Sequence, residues 1–110
     1  MSHDKQPMHR REREVILEVL QAQDRGTADQ RALWFALSNL GHPMTKGTFD
    51  EHLTYLEGKR YLIAQDRHLG DKVAVRILTI TPAGVDLLDG SICDPGVGPG
   101  CPRDFLPAGG

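Results

Sequence analysis

The chain has 110 residues, of which 39% are hydrophobic and 25% are charged, and its formal net charge at pH 7 is -2. This composition is typical of one globular domain with a modest core, and no apolar run approaches the roughly 20 residues that a membrane-spanning helix needs. The polar N-terminus lacks the apolar segment of a signal peptide, so we expect a cytoplasmic protein. The pI of 6.2 is low for a dedicated nucleic-acid binder, whose domain pI often exceeds about 9.

The first helix is predicted over residues 10–23, after a flexible N-terminus at residues 1–9. Apolar side chains recur there at the spacing of one helix face, and the charged side chains between them face water. This stripe runs through Ile16, Val19 and Leu20, and its spacing continues at Gln23. It predicts an amphipathic helix that has ended by Gly26.

The second helix is predicted over residues 28–40, with Thr27 as its N-cap and Gly41 just past its end. Its apolar face is wider than a small domain needs, and the first helix also carries apolar residues outside its stripe. Surplus apolar surface is typical of a subunit interface. The candidates for a homodimer interface are Val15, Leu17, Trp34 and Phe35. A thicker core contact between the first two helices explains the same residues equally well.

A third helix is predicted to begin after its N-cap, Thr45, and to end at Gly58. Pro43 disfavours helical backbone at the residue before it, so the chain turns between the second and third helices. These two helices therefore form a predicted helix-turn-helix pair. The core-facing residues of the third helix are Phe49, Leu53 and Leu56.

A β-hairpin is predicted from residues 62–65 and 72–80, because the second segment is rich in β-branched residues and a short glycine-containing loop precedes it. This hairpin is the wing of the predicted domain, and its short loop is basic. Thr81 followed by Pro82 is typical of an N-cap and first helical position, and predicts a fourth helix that ends at Gly90.

Residues 91–110 are predicted to form an irregular tail outside the folded domain, residues 10–90, because they are dense in glycine and proline. Cys93 and Cys101 both lie in this tail, where a disulfide would connect the tail only to itself, so we expect free thiols. Apolar tail residues can still dock on a surface. They are Ile92, Val97, Phe105 and Leu106.

Motifs for catalysis or cofactor binding are missing from the sequence. It contains no nucleophile elbow and no P-loop, and its GVGPG segment neither follows a strand nor opens a helix. The two cysteines are too far apart for a structural zinc pair, and no two histidines have i, i+4 spacing. We therefore expect no enzymatic activity, no catalytic residue, no metal and no cofactor.

The order of predicted elements is α-α-α-β-β-α, mainly α with a small β-hairpin, and it resembles the winged helix-turn-helix transcriptional regulators. The segments that carry this resemblance are FDEHLTYLEGKRYLIAQDR and LTITPAG, which are similar to the recognition helix, wing strand and following helix of the arsenic-repressor-like and multiple-antibiotic-resistance-like groups. The segments VILEVLQAQ and DPGVG look closer to small winged-helix proteins of Mu-like prophages.

This resemblance implies a homodimeric regulator that binds double-stranded DNA, with the third helix in the major groove and the wing on phosphate. Basic and polar residues of that helix and of the wing are then the candidates for DNA contacts. They are Lys46, Thr48, His52, Tyr55, Arg67, His68, Lys72 and Arg76.

Two acidic residues of the third helix, Asp50 and Glu51, disfavour DNA binding, because phosphate repels a carboxylate. The alternative is a winged-helix protein-interaction module in a phage-related complex, in which these carboxylates meet a basic phage or host protein. The position of Asp50 and Glu51 relative to Lys46 distinguishes the two hypotheses.

Overall fold

The computed structural model describes residues 6–70 and 73–101. Within these ranges lie four α-helices and three strands, and the expected winged-helix architecture is confirmed. The helices are α1 (Gln6–Ala22), α2 (Gln30–Asn39), α3 (Lys46–Gly58) and α4 (Pro82–Asp89), and the strands are β1 (Thr27–Asp29), β2 (Leu62–Leu69) and β3 (Val73–Ile80).

The sheet is antiparallel with strand order β1-β3-β2. Strands β2 and β3 form the wing hairpin, in register from Leu62 opposite Ile80 to Leu69 opposite Val73. Gly70, with φ of +78°, follows β2 in the left-handed region that favours glycine.

The strand β1 was not predicted, and Thr27 is not a helix cap. A 3₁₀ turn over Asp24–Gly26, with Arg25 and Gly26 both at positive φ, lets the chain reach the free edge of β3. There Thr27 pairs with Thr79, and their hydroxyl oxygens lie 3.0 Å apart. The second helix therefore begins two residues later than predicted, and Asp29 caps it by accepting from the backbone N–H groups of the next turn, 2.7 Å from Arg31.

The two N-caps predicted later in the chain, Thr45 and Thr81, are confirmed. The Thr45 hydroxyl accepts from the Thr48 N–H of α3 at 3.1 Å, and the Thr81 hydroxyl accepts from the Gly84 N–H of α4 at 3.1 Å. Gly90 follows α4 at a φ of +88°, which stops the helix.

The core lies between α1, α2, α3 and the inner face of the sheet. Val15 and Leu17 belong to it, at 3% and 0% exposure, so their assignment to a dimer interface is wrong. Helix α1 is buried on more than one face because residues 91–101 cover a further side of it, with Val97 at 3% exposure. The packed unit thus extends beyond Gly90.

Residues 91–101 have no regular secondary structure, and the Gly98 N–H donates to the Arg10 carbonyl of α1 at 2.8 Å. The expectation that Cys93 and Cys101 are free thiols is wrong, because the two residues form a disulfide. Of the apolar tail residues, Ile92 is 41% exposed and Val97 is buried. Phe105 and Leu106 lie outside the described residues.

None of the helices in the described ranges has both the length and the apolar character that a membrane crossing requires.

Candidate nucleic-acid interface

The N-termini of α2 and α3 meet the outer part of β3 around an open cleft of about 540 Å³. The indole N–H of Trp34 donates to the Met44 carbonyl at 2.9 Å, and this bond fixes the turn that sets α3 beside α2. Trp34 and Phe49 contribute apolar surface to the cleft wall. The site is therefore an apolar-walled groove at the junction of the helix-turn-helix pair and the wing.

Three cationic side chains, Arg31, Lys46 and Arg76, line this cleft, one each from α2, α3 and β3. All three residues are exposed. Cations from separate elements that converge on a groove are suited to an anionic backbone such as that of a nucleic acid. The fold brings together Lys46 and Arg76, two of the predicted DNA contacts, and adds Arg31.

Carboxylates offset part of this positive charge. The Arg76 guanidinium donates to Glu57 of α3 at 2.6 Å. Asp50 accepts a 3.3 Å hydrogen bond from the side chain of Gln30, a residue that lines the cleft. Asp50 therefore lies on the cleft side of α3, and Glu51 is exposed on the same helix.

The structure contradicts the assignment of His52 to the DNA-binding face. His52 is 1% exposed and lies between α3 and α1, where its Nε2 is 2.8 Å from Glu12 Oε1. Its Nδ1 accepts from Arg13 Nε at 3.1 Å, so the ring proton is on Nε2 and is donated to Glu12. Burial lowers the pKa of His52, although the bond to Glu12 opposes this effect.

His9, Glu12 and His52 also offer three potential metal ligands, whose atoms lie within 4.8 Å of one another. A metal on Nε2 of His52 would have to displace the proton shared with Glu12, and a metal-bound imidazole presents an N–H at Nδ1. Arg13 already donates to that atom. The donor set therefore fits a hydrogen-bonded link between α1 and α3 better than a metal site.

Tyr55 is also engaged within the chain and does not present a free hydroxyl to DNA. Its hydroxyl donates to Asp94 Oδ1 at 2.5 Å, and the Arg13 guanidinium carbon lies 4.1 Å from its ring centroid. Burial and the bond to Asp94 raise the pKa of Tyr55 to about 12. Thr48 is half-buried, and its hydroxyl accepts from Thr45 at 3.0 Å, so it contributes mainly to the start of α3.

The wing positions Arg67 and His68 on β2, opposite Val75 and Ala74 of β3, and both residues are exposed. Lys72 lies outside the described residues. Among the proposed interface residues, Trp34 is half-buried and Phe35 is 51% exposed.

Arg31 was missed because the second helix was predicted to start too early. When Asp29 is the cap, Arg31 is in the first turn of α2 and points to the cleft wall. The signal was present in the sequence, since aspartate is as good an N-cap as threonine.

The scan against protein-family models finds no match, and neither does the search of the curated proteins. Similar solved structures include a PadR family transcriptional regulator from Eggerthella lenta DSM 2243, at a TM-score of 0.59 and 23% identity, with 70% of this chain and 67% of that chain covered. Another is Bacillus subtilis PadR in complex with operator DNA, at a TM-score of 0.57 and 16% identity, with 83% of this chain and 54% of that chain covered. The chain thus spans about half the length of the B. subtilis protein, and at these identities the similarity shows the winged-helix fold.

Proposed function

We propose that this chain is a DNA-binding transcriptional regulator of winged-helix type. The observation that carries the proposal is the convergence of Arg31, Lys46 and Arg76 on one cleft between α2, α3 and the wing. The similarity to a PadR protein whose structure contains operator DNA supports the same proposal.

In this proposal the first turns of α3 enter the major groove and a phosphate strand follows the cleft beside them. Arg31 and Lys46 contact phosphate from the N-terminal ends of their helices, where the helix dipole also favours an anion. Arg67 and His68 extend the contact along the wing. Of the predicted DNA contacts on α3, Lys46 is the exposed one, so it is also the candidate for a contact to base edges.

The charges of the cleft predict modest affinity. Each cation that neutralises a phosphate contributes a salt-dependent increment to binding, whereas Glu57 competes with DNA for Arg76 and Asp50 weakens the field near Lys46. A homodimer would double the number of contacts. Phe35, half exposed on α2, remains a candidate for that interface.

A prophage origin is a separate hypothesis, which rests on the VILEVLQAQ and DPGVG segments.

The test is to measure the affinity of the wild-type chain, Arg31→Ala plus Lys46→Ala, and Arg11→Ala for duplex DNA by fluorescence anisotropy. Arg11 is an exposed cation on α1 that does not line the cleft, so its variant is the control for loss of charge; because it removes one charge and the cleft variant removes two, the losses are compared per charge removed. We expect the cleft variant to lose at least about tenfold in affinity and the control to lose less than about twofold. Equal losses in both variants would contradict a binding site at the cleft.

A second candidate, a protein-interaction module, is favoured by one observation. Asp50 and Glu51 are both exposed on α3, and in the described residues neither has a lysine or arginine side chain within salt-bridge distance. A basic protein surface would complement these carboxylates, and in that case charge reversal at both positions would abolish partner capture without unfolding the domain.

A further inference from the structure

Asp94, in the irregular segment after α4, is a buried carboxylate that accepts three hydrogen bonds. It is 3% exposed, and its donors are the hydroxyls of Tyr55 at 2.5 Å and Tyr61 at 2.6 Å and the N–H of Gly96 at 2.7 Å. Burial alone would raise the pKa of Asp94, but these hydrogen bonds and the nearby Lys59 ammonium outweigh it and lower the pKa. Asp94 is therefore held as an anion.

These donors connect Asp94 to the recognition helix. Tyr55 lies in the C-terminal half of α3, and Tyr61 directly precedes β2, the first strand of the wing. The Lys59 ammonium, between them in sequence, is 3.8 Å from Asp94 Oδ2. One carboxylate of the tail thus contacts the segment that joins α3 to the wing.

The same tail segment is attached to α1 by its backbone. The Gly96 carbonyl accepts from Arg13 Nη1 at 3.1 Å, and the Gly98 N–H donates to the Arg10 carbonyl at 2.8 Å. A Cβ added at Gly96 would collide with the Tyr55 hydroxyl, so the backbone packs directly on that side chain. Val97, between the two glycines, is buried in the core.

The disulfide encloses all of these contacts. Cys93 immediately precedes Asp94, Cys101 closes the loop after a sequence separation of 8, and Asp94, Gly96 and Gly98 lie between them. The closed loop restricts the conformations that residues 94–100 can adopt when they leave the surface, which favours the docked state. Cys93 is exposed and Cys101 is half-buried, so a thiol in solution reaches Cys93 first.

We propose that Cys93 and Cys101 form a thiol–disulfide switch that fastens residues 91–101 to α3 and thereby adjusts the affinity of the proposed DNA site. In the oxidising direction, the Cys93 thiolate attacks a small-molecule disulfide and one thiol leaves. The Cys101 thiolate then attacks Sγ of Cys93 and releases the second thiol, so the protein dithiol is oxidised and the small disulfide is reduced to two thiols. A dithiol reductant reverses both steps.

The first experiment measures amide hydrogen exchange by mass spectrometry on the full chain, oxidised with glutathione disulfide or reduced with dithiothreitol. We expect reduction to accelerate exchange at residues 94–101 by at least about tenfold, with a smaller acceleration at residues 55–61, because both segments share the Asp94 hydrogen bonds. Helix α2 is the internal reference, because none of its residues lines the pocket that contains Cys93 and Cys101. The variant Cys93→Ser plus Cys101→Ser should match the reduced protein under both conditions.

Equal exchange in the two redox states would overturn the switch, as would a serine variant that still responds to dithiothreitol. Formation of glutathione adducts without an internal disulfide would also overturn it.

The second experiment, which depends on the proposed function, compares the DNA affinity of the two redox forms. We expect the oxidised form to bind at least about threefold more tightly, because a fixed α3 loses less conformational freedom on binding. Equal affinities would overturn the regulatory part of the proposal. If neither form binds DNA, the proposed function fails, and the exchange experiment alone decides whether the switch exists.

Discussion

His52 of α3 and Glu12 of α1 are joined by a hydrogen bond of 2.8 Å between Nε2 and Oε1, and His52 is only 1% exposed. Arg13 donates to the other ring nitrogen, so the buried imidazole is neutral and both of its nitrogens are satisfied. The orientation of α3 on α1 thus depends on a titratable group.

The stability of the domain should consequently depend on pH between the lowered pKa of His52 and the ordinary histidine value of about 6.5. In this window the unfolded chain binds more protons than the folded one, so the free energy of unfolding falls as the pH falls, by up to about 1.4 kcal/mol for each unit by which the pKa is lowered. Urea unfolding at pH 7.5, 6.5 and 5.5 measures the effect. His52→Gln should show a smaller slope, and an equal slope would assign the dependence to other groups.

A separate loss of stability is expected in acid from Asp94. Its pKa is lowered in the folded state, so its contribution is fully present above the ordinary aspartate value of about 4 and disappears as the pH falls through the folded pKa. Asp94→Asn should flatten the unfolding free energy below pH 4 and leave the window near pH 6 unchanged. A change near pH 6 would mean that Asp94 and His52 are coupled.

Substitution by alanine is predicted to have opposite effects on the stability of the fold at two glycines, Gly84 and Gly47. A Cβ at Gly84 would collide with the Tyr61 carbonyl oxygen and lie 2.8 Å from Ile80, so Gly84→Ala should destabilise the fold by about 1–3 kcal/mol. At Gly47 in the first turns of α3 nothing lies within 4 Å, and Gly47→Ala should stabilise it by up to about 1 kcal/mol. Thermal unfolding of both variants is the measurement, and a destabilised Gly47→Ala would show that the helix start is strained.

The exposed arginine of the wing, Arg67, leads to a separate prediction about DNA binding. If the exposed Arg67 contacts phosphate as proposed, Arg67→Ala should weaken binding to all DNA sequences similarly and reduce the salt slope by about 1. Arg11→Ala on α1 is the matched control. A loss confined to one DNA sequence would instead indicate that Arg67 contacts base edges.

Neutralising the exposed carboxylates of α3 separates the two functional hypotheses. Asp50→Asn plus Glu51→Gln should raise DNA affinity roughly threefold at low salt if α3 lies against phosphate, since each exposed charge interaction is worth less than about 1 kcal/mol. Weakened capture of a basic protein, with no gain for DNA, would support the interaction module.

The fold was predictable because caps and hairpin residues act locally. Thr45, Thr81 and Gly90 take the roles that their sequence positions indicate. The strand β1 was not predictable in the same way, because three residues become a strand only when the edge of β3, about 50 residues away, is available.

The site was only partly predictable, and His52 shows why. Phe49, His52, Leu53 and Leu56 together complete one buried helix face, but the polar ring was assigned to the outer surface on its chemistry alone. Its partners lie in α1, about 40 residues earlier, and no local pattern reveals them. The same holds for Tyr55 and Asp94, whose contact places part of the tail in the folded unit.

The measurement that tests the central claim most directly is the salt dependence of binding to random-sequence duplex DNA, on protein of known oligomeric state. Four cations at the cleft and wing predict a slope of log affinity against log salt between about -2 and -4 per protomer. No binding at about 50 mM salt, or binding without a salt slope, would contradict a phosphate-contacting site at the cleft.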